Sequence, residues 1–377
     1  MNFDRVVIDE LTLNINPLQT AGRASAEVRK AAGRYTDGYS VCDRCAGVLH
    51  DIEKPDIKSF TAELAEFLGV DRAAVTMGAR EGKFAVIHTV AKPGDTIILD
   101  GNAHYSTMVA AQRAGVEIMK THYTEPPEFK ILPESFAEAL DRCKTETGKP
   151  AALAVLTHVD GSYGNLTDAK AIAGICHDAG VPVLLNGAYS AGRMPVNARE
   201  LGVDFLVGSG HKSFGATGPV GVMGAVGEWA ERLFRLSPTN RNKNIELLGC
   251  TARGSNVVAL MAALPGVKKR VLNWDNEVAK ARKFIDAMEA LGDISLIGER
   301  PKNHDLIRLE TPLFYRIGEN HRKRGYYLHS ELSERGITGL IPGQTKWFKM
   351  STFGFSDAQL DYIIDAFRDI AESAREF

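Results

Sequence analysis

From about residue 60 the chain alternates between helical stretches, with apolar residues three or four positions apart, and short uninterrupted apolar runs. This spacing predicts helices over residues 60–68, 80–91, 108–114, 133–147 and 168–179. Strand-like runs lie at 73–77, 96–99, 116–120, 151–157, 181–185, 203–207 and 220–223. Runs such as Ala151 to Thr157 show no polar alternation, so both faces of these strands must be covered. Helices alternating with such strands specify an α/β fold with a mostly parallel central sheet. Ligands of such sheets bind outside the carboxyl ends of the strands. Beyond Cys250 the pattern changes to a long helix over 274–291, strand-like pieces at 294–297, 306–309 and 347–351, and helices near 326–335 and 357–375. That is the pattern of a smaller α+β lobe. Residues 1–55 have little periodicity apart from a helical stretch at 24–32, and several turn formers, so they read as an arm lying on another surface. The predicted organisation is an arm (1–55), a large domain (56–272) and a small C-terminal domain (273–377).

Charge narrows the function classes. The 377 residues carry 45 basic and 47 acidic side chains, a net charge of −2, so any nucleic-acid contact must come from local basic runs. The candidates are Arg232 with Arg235, Arg241-Asn242-Lys243, Lys268-Lys269-Arg270 and His321-Arg322-Lys323-Arg324, and a solvated helix face explains each equally well. No stretch approaches about 18 apolar residues, and the N-terminus lacks the basic-then-apolar form of a signal peptide. The expected location is cytoplasmic, with no membrane partner. The five cysteines are too few and too uneven for a disulfide scaffold. Cys42 and Cys45 form a Cys-x-x-Cys pair suited to redox, metal or sulfur handling, whereas Cys143 and Cys176 sit in predicted helices and read as structural.

The candidate chemistry collects at strand ends. Ser209-Gly210-His211-Lys212-Ser213 follows an apolar strand, and an ammonium among small residues there must be paired or deprotonated; a desolvated lysine is the usual starting point for a Schiff base. Met77-Gly78-Ala79-Arg80-Glu81 joins a strand to a helix N-terminus, where free N–H groups and the helix dipole favour an anion. Asn102-Ala103-His104-Tyr105-Ser106, Asp160-Gly161-Ser162-Tyr163-Gly164-Asn165 and Asn186-Gly187-Ala188-Tyr189 each follow a strand at the same sheet edge. Each alone is weak; their convergence on one place carries the argument.

On these residues the chain resembles the pyridoxal-phosphate enzymes of fold type I (aspartate-aminotransferase-like). The resemblance implies that Gly78-Ala79-Arg80 holds the cofactor phosphate with Ser209 and His211, that His104 stacks on the pyridine ring, that Asn186 and Ala188 meet its nitrogen and face, and that Lys212 bonds the cofactor aldehyde. Glu81, Asn165 and Gly210 complete the expected cofactor-binding set. Asn186 stands where most of the fold has aspartate, and an amide supports the ring as an electron sink less than a carboxylate does. That disfavours transamination and is tolerable where a good leaving group at Cβ drains the electrons. With Asp37-Gly38-Tyr39-Ser40-Val41-Cys42, Cys45 and Leu248-Gly249-Cys250-Thr251-Ala252-Arg253-Gly254, nearly the whole chain is similar to the O-phosphoseryl-tRNA:cysteinyl-tRNA synthase family.

That family implies conversion of phosphoserine on tRNA(Cys) to cysteine in archaea, by replacing phosphate at Cβ with sulfur. It implies Lys212 as the base, and Cys42, Cys45 and Cys250 either as persulfide relays or as ligands of an iron–sulfur cluster. It further implies a homodimer with shared active sites, a sulfur donor, and an association with the phosphoseryl-tRNA synthetase. Arg80, Arg253 and Arg193 are placed to meet an anionic substrate group. Two rival readings are a cysteine desulfurase of the same fold and a non-catalytic scaffold binding tRNA or metal.

Overall fold

The computed structural model describes residues 12–18, 23–36, 55–247 and 254–373. A short strand β1 (Leu13–Asn14) and the helix α1 (Ala26–Arg34), capped by the Ser25 side chain, precede α2 (Ile57–Leu68). The Asp56 side chain accepts from the Ser59 N–H to open α2, and Gly69 closes it in the left-handed conformation. The alternation then runs β2 (Arg72–Thr76), α3 (Ala79–Val90), β3 (Thr96–Leu99), α4 (Tyr105–Ala114), β4 (Glu117–Lys120) and α5 (Pro133–Thr147). It continues with β5 (Leu153–Thr157), α6 (Ala169–Asp178), β6 (Val183–Asn186), α7 (Ala198–Leu201), β7 (Phe205–Ser209) and β8 (Gly221–Ala225).

These seven strands form one sheet in the order β2-β8-β7-β6-β5-β3-β4. The pairs from β4 through β7 are parallel, and β8 runs antiparallel to both β7 and β2. Two reversals restore direction, so β2 points the same way as β7, and the carboxyl ends of β2, β3, β5, β6 and β7 open on one edge. Every residue of β5 to β8 is buried, as continuous apolar runs require. The antiparallel course of β8 has no signature in its residues, because a strand buried on both faces has the same composition in either direction.

The chain continues through α8 (Glu228–Leu233), α9 (Gly254–Arg270) and α10 (Trp274–Glu289). α1 packs on α9. α10 bridges two cores: Trp274 and Val278 belong to the core of the seven-stranded sheet, while Ala281, Phe284, Ile285 and Met288 join a second core. That second core lies between α10, the antiparallel sheet and its helices. The sheet has the order β12-β10-β9, from β9 (Ser295–Leu296), β10 (Leu306–Glu310) and, later in the chain, β12 (Trp347–Ser351). The intervening and closing elements are α11 (Pro312–Asn320), α12 (Tyr327–Glu334), β11 (Ile337–Thr338) and α13 (Asp357–Ser373). β1 pairs in parallel with β11, and Ile15 is buried in the second core. The N-terminal segment is thus stitched to the C-terminal lobe.

Candidate active site

The shared edge of the sheet encloses a cavity of about 350 Å³, lined by Met77, Gly78, Ala79, Arg80 and Lys83, by His104 and Ser106, by Thr157, Val159 and Gly161, and by Asn186, Ala188, Tyr189, Ser209, His211 and Lys212. Its floor is the β2–α3 turn. Gly78 has φ 132°, a value that side chains other than glycine rarely adopt. A Cβ on Gly221, at the start of β8, would lie 2.5 Å from Gly78 Cα, so glycine alone lets β8 press against the turn. The Thr76 hydroxyl donates to the Gly78 carbonyl at 3.0 Å, and Glu81 accepts the Met77 N–H at 2.6 Å. Glu81 therefore braces the turn from within and is not among the residues lining the cavity.

The buried hydroxyls Ser209 Oγ and Thr157 Oγ1 have no hydrogen-bond partner among the described residues. Two orphaned hydroxyls beside a helix N-terminus, with the Arg80 guanidinium and no carboxylate in the cavity wall, fit an anion such as a phosphate group. His211 is held by Nδ1, which lies 2.9 Å from the Val220 carbonyl and 3.3 Å from the Val220 N–H.

Lys212 lies over the Tyr189 ring, 4.8 Å from its centroid. Burial, and then Arg193, push its ammonium below the usual lysine range. Tyr189 supplies no counter-charge, because burial lifts its phenol to about 12. A lysine so placed releases its proton readily, as a nucleophile or base needs. Asn186 ends β6, and its Oδ1 accepts the Ala188 N–H at 3.4 Å, which leaves its amide N–H groups as donors. His104 caps α4 by accepting the Ser106 N–H at Nδ1, 3.2 Å away. Burial, followed by Lys83, Lys212 and Arg80, lowers its pKa to about 4, so the imidazole is neutral at physiological pH.

Two expected contacts go elsewhere. Asn165 directs its amide N–H groups to the Glu128 and Phe129 carbonyls, at 2.8 and 3.1 Å, and accepts the Glu299 N–H at 2.8 Å. It ties three loops together behind the cavity. Arg193 has no exposed surface and donates to Asp305 at 2.7 Å and to the Pro17 carbonyl at 3.2 Å. It clamps the β6–β7 connection to the second core and is not available to a substrate anion. Cys42, Cys45, Cys250 and Arg253 lie outside the described residues. Cys143 and Cys176 are buried and free. Several of the basic candidates are locally neutralised: Arg232 by Glu228, Arg235 by Glu246, Lys268 by Glu63 and Lys323 by Glu334.

The sequence reasoning missed Lys83 and Asp100. Lys83 follows Ala79 by four positions, hence on the same helix face, and stands against the apolar run Phe84 to Ile87; a charge in that register is the signal that could have found it. Asp100 directly follows β3 in complete burial, accepts the Thr157 N–H at 2.8 Å, and is lifted to about 7 by that burial.

Comparison with known proteins gives concordant results. The family model of O-phosphoseryl-tRNA(Sec) selenium transferase matches residues 84–372. The O-phospho-L-seryl-tRNA:Cys-tRNA synthase of Methanothermobacter thermautotrophicus is 51% identical over 363 residues, 96% of either chain. That of Methanopyrus kandleri is 44% identical over 99% of this chain and 98% of its own. A solved complex of SepCysS with the SepCysE N-terminal domain superposes with a TM-score of 0.92 at 42% identity, covering 99% of this chain and 100% of that one. A cysteine desulfurase from Thermococcus onnurineus NA1 has the same fold, with a TM-score of 0.75 at 17% identity over 96% of this chain and 95% of its own. The pyridoxal-phosphate fold that the strand-end residues suggest is thus shared with enzymes that bind that cofactor, including a serine palmitoyltransferase from S. paucimobilis (TM-score 0.73, 18% identity, 97% of this chain and 89% of that one). The chain belongs to the O-phospho-L-seryl-tRNA:Cys-tRNA synthase family of fold type I, pyridoxal-phosphate-dependent transferases.

Proposed function

We propose that this chain converts O-phosphoseryl-tRNA(Cys) to cysteinyl-tRNA(Cys) by replacing phosphate at Cβ with sulfur, using pyridoxal 5′-phosphate. The observation that carries this reading is the presence in one cavity of Lys212, whose ammonium burial holds below the usual lysine range, and an amide, Asn186. The cofactor, when bound, supplies an aldehyde that bonds the substrate amine and a ring that withdraws electrons from Cα. The α3 N-terminus at Ala79 and Arg80, with Ser209 Oγ and Thr157 Oγ1, would seat its phosphate. Lys212 Nζ would bond the aldehyde and, once released, take the proton from Cα. Asn186 Nδ2 would donate to the ring nitrogen and so keep it unprotonated, a weak electron sink. A weak sink suits a carbanion that is discharged at once by loss of a group from Cβ. Sulfur then adds to the resulting Cα=Cβ bond.

The neutral His104 would cover the ring face. The Arg80 guanidinium, held by the Tyr105 hydroxyl at 2.5 Å and stacked 5.3 Å from that ring's centroid, would meet the substrate phosphate, with Arg253 as a second candidate. We read Cys42, Cys45 and Cys250 as persulfide carriers that pass sulfur from an external donor. Among the described residues no group of three or more His, Cys, Asp or Glu could hold a metal ion; an iron–sulfur cluster on Cys42, Cys45 and Cys250, which lie outside those residues, is the alternative reading. We read the working form as a cytoplasmic homodimer with shared sites, associated with the phosphoseryl-tRNA synthetase and with a partner like that of the solved relative. Among the described residues no helix is long and apolar enough to cross a membrane.

Incubating the pyridoxal-phosphate-loaded protein with phosphoseryl-tRNA(Cys) and sulfide tests the reading. Cysteinyl-tRNA should form with one phosphate released per cysteine. Alanine release from free cysteine, with the tRNA ester untouched, would replace this reading with a desulfurase.

A further inference from the structure

Lys83 is only 2% exposed, yet it lines the active-site cavity, and no carboxylate among the described residues forms an ion pair with it. Its Nζ donates to Ser106 Oγ at 2.6 Å and to Thr107 Oγ1 at 3.2 Å. Ser106 Oγ in turn lies 2.7 Å from His104 Nδ1. The directions of these bonds follow from the donor inventory. An ammonium can only donate, so Ser106 Oγ accepts from Lys83 and turns its own proton toward Nδ1. A neutral imidazole accepting at Nδ1 carries its proton at Nε2. The three side chains therefore make a directed hydrogen-bond chain, from a buried ammonium to an imidazole N–H on a ring that the cavity exposes.

The proposed reaction creates a demand for a proton in this cavity. Breaking the Cβ–O bond of a phosphate monoester dianion would release fully ionised phosphate, a poor leaving group, unless the departing oxygen is protonated. Arg80 cannot serve, because a guanidinium does not give up its proton. We propose, on the basis of the β-replacement reading above, that Lys83, Ser106 and His104 form a proton relay to the departing phosphate. The electron pair left at Cα by proton removal forms the Cα=Cβ bond, and the Cβ–O pair leaves on oxygen. That oxygen takes the Nε2 proton of His104, Nδ1 takes the Ser106 hydroxyl proton, and Ser106 Oγ takes one from Lys83. Lys83 ends as a neutral amine and regains its proton from solvent.

The environment of Lys83 agrees with this role. Burial, then Lys212 and Arg80, lower its ammonium to about 7 against the opposing pull of Asp100, so the proton is surrendered near neutral pH. His104 is the catalytic residue of the relay, and Lys83 and Ser106 act through it.

The test compares two substrates on the holoenzyme: phosphoseryl-tRNA(Cys), and the same tRNA carrying β-chloroalanine, whose chloride leaves without a proton. Lys83→Met, which keeps the bulk of the side chain, should slow phosphate release by about 100- to 1,000-fold and chloride release by less than about tenfold. Ser106→Ala should act alike, and the double variant should be no slower than the worse single one. A second readout needs no cofactor. NMR titration of histidine-labelled apoprotein should find His104, which faces Lys83, Lys212 and Arg80, moving in Lys83→Met from about 4 toward the ordinary value of about 6.5. Equal losses on the two substrates, or an unmoved His104, would overturn the relay alone. Wild-type protein that releases neither phosphate nor chloride would overturn the β-replacement reading, and the relay with it.

Discussion

Lys212→Ala should reduce cysteinyl-tRNA formation from phosphoseryl-tRNA(Cys) by about 10⁴-fold or more, because it removes both the group that bonds the cofactor and the base that takes the Cα proton. Its amine lies 4.8 Å from the Tyr189 ring centroid and makes no ion pair among the described residues, so the truncation leaves no buried charge unpaired. The variant should therefore fold and melt near the wild type. The seats offered by the α3 N-terminus, Ser209 and Thr157 are untouched, so cofactor should still enter, more weakly and without covalent attachment. The comparison is sulfide-dependent turnover beside cofactor retained after gel filtration. Turnover within about tenfold of the wild type would remove Lys212 from the chemistry. Loss of folding would mean that its role is structural.

The largest effect on stability is expected at Arg193. Arg193 and Asp305 both have fully buried side chains and meet at 2.7 Å, with Ser351 Oγ also donating to Asp305 at 2.5 Å. Removing one partner of a buried pair strands the other's charge, at a cost of about 3–5 kcal/mol. Arg193→Met should lose that much in urea denaturation at pH 7. The main cost comes from the Asp305 carboxylate left buried without its partner. Arg193→Met with Asp305→Leu should recover most of the loss. Burial opposes ionisation of Asp305, but Arg193, His304 and Ser351 together hold its pKa below the usual carboxylate value. A lowered folded pKa gives stability that is present above the unfolded value, about 3.9, and is lost as pH falls through the folded value. Without Arg193, burial raises the folded Asp305 pKa instead, so the deficit of Arg193→Met should shrink as pH falls through that raised value and be smallest below the lowered wild-type one. A deficit that stays constant down to pH 3 would point to lost packing against Tyr189 and Phe353 instead.

The same residue shows where sequence reasoning stops. Lys212, Asn186, His104 and the Gly78 turn could be located because each follows an apolar run, and parallel strands carry their carboxyl ends to one edge. Arg193 and Asn165 also follow such strands, but their partners, Asp305, Pro17, Glu128 and Glu299, are remote in sequence. Nothing in the local pattern says that these side chains turn away from the cavity. Glu81 is ambiguous for a closer reason: its carboxylate folds back onto the Met77 N–H, four residues earlier, a contact as compatible with the motif as an outward one. α9 escaped the periodicity argument because it carries Pro265 and buries residues on most of its circumference, leaving no clear polar stripe. Lys83 was hidden by the opposite bias, since a lysine in a helix is usually solvated and this one is enclosed by the hydroxyls of α4.

Two lysines line the cavity, Lys212 proposed for the cofactor bond and Lys83 for the relay. Borohydride reduction of the pyridoxal-phosphate-loaded protein, followed by peptide mass mapping, tests that division most directly. The phosphopyridoxyl group should be found on Lys212, at one per chain, with Lys83 unmodified. Modification of Lys83, or a loaded protein with neither lysine modified, would contradict the account.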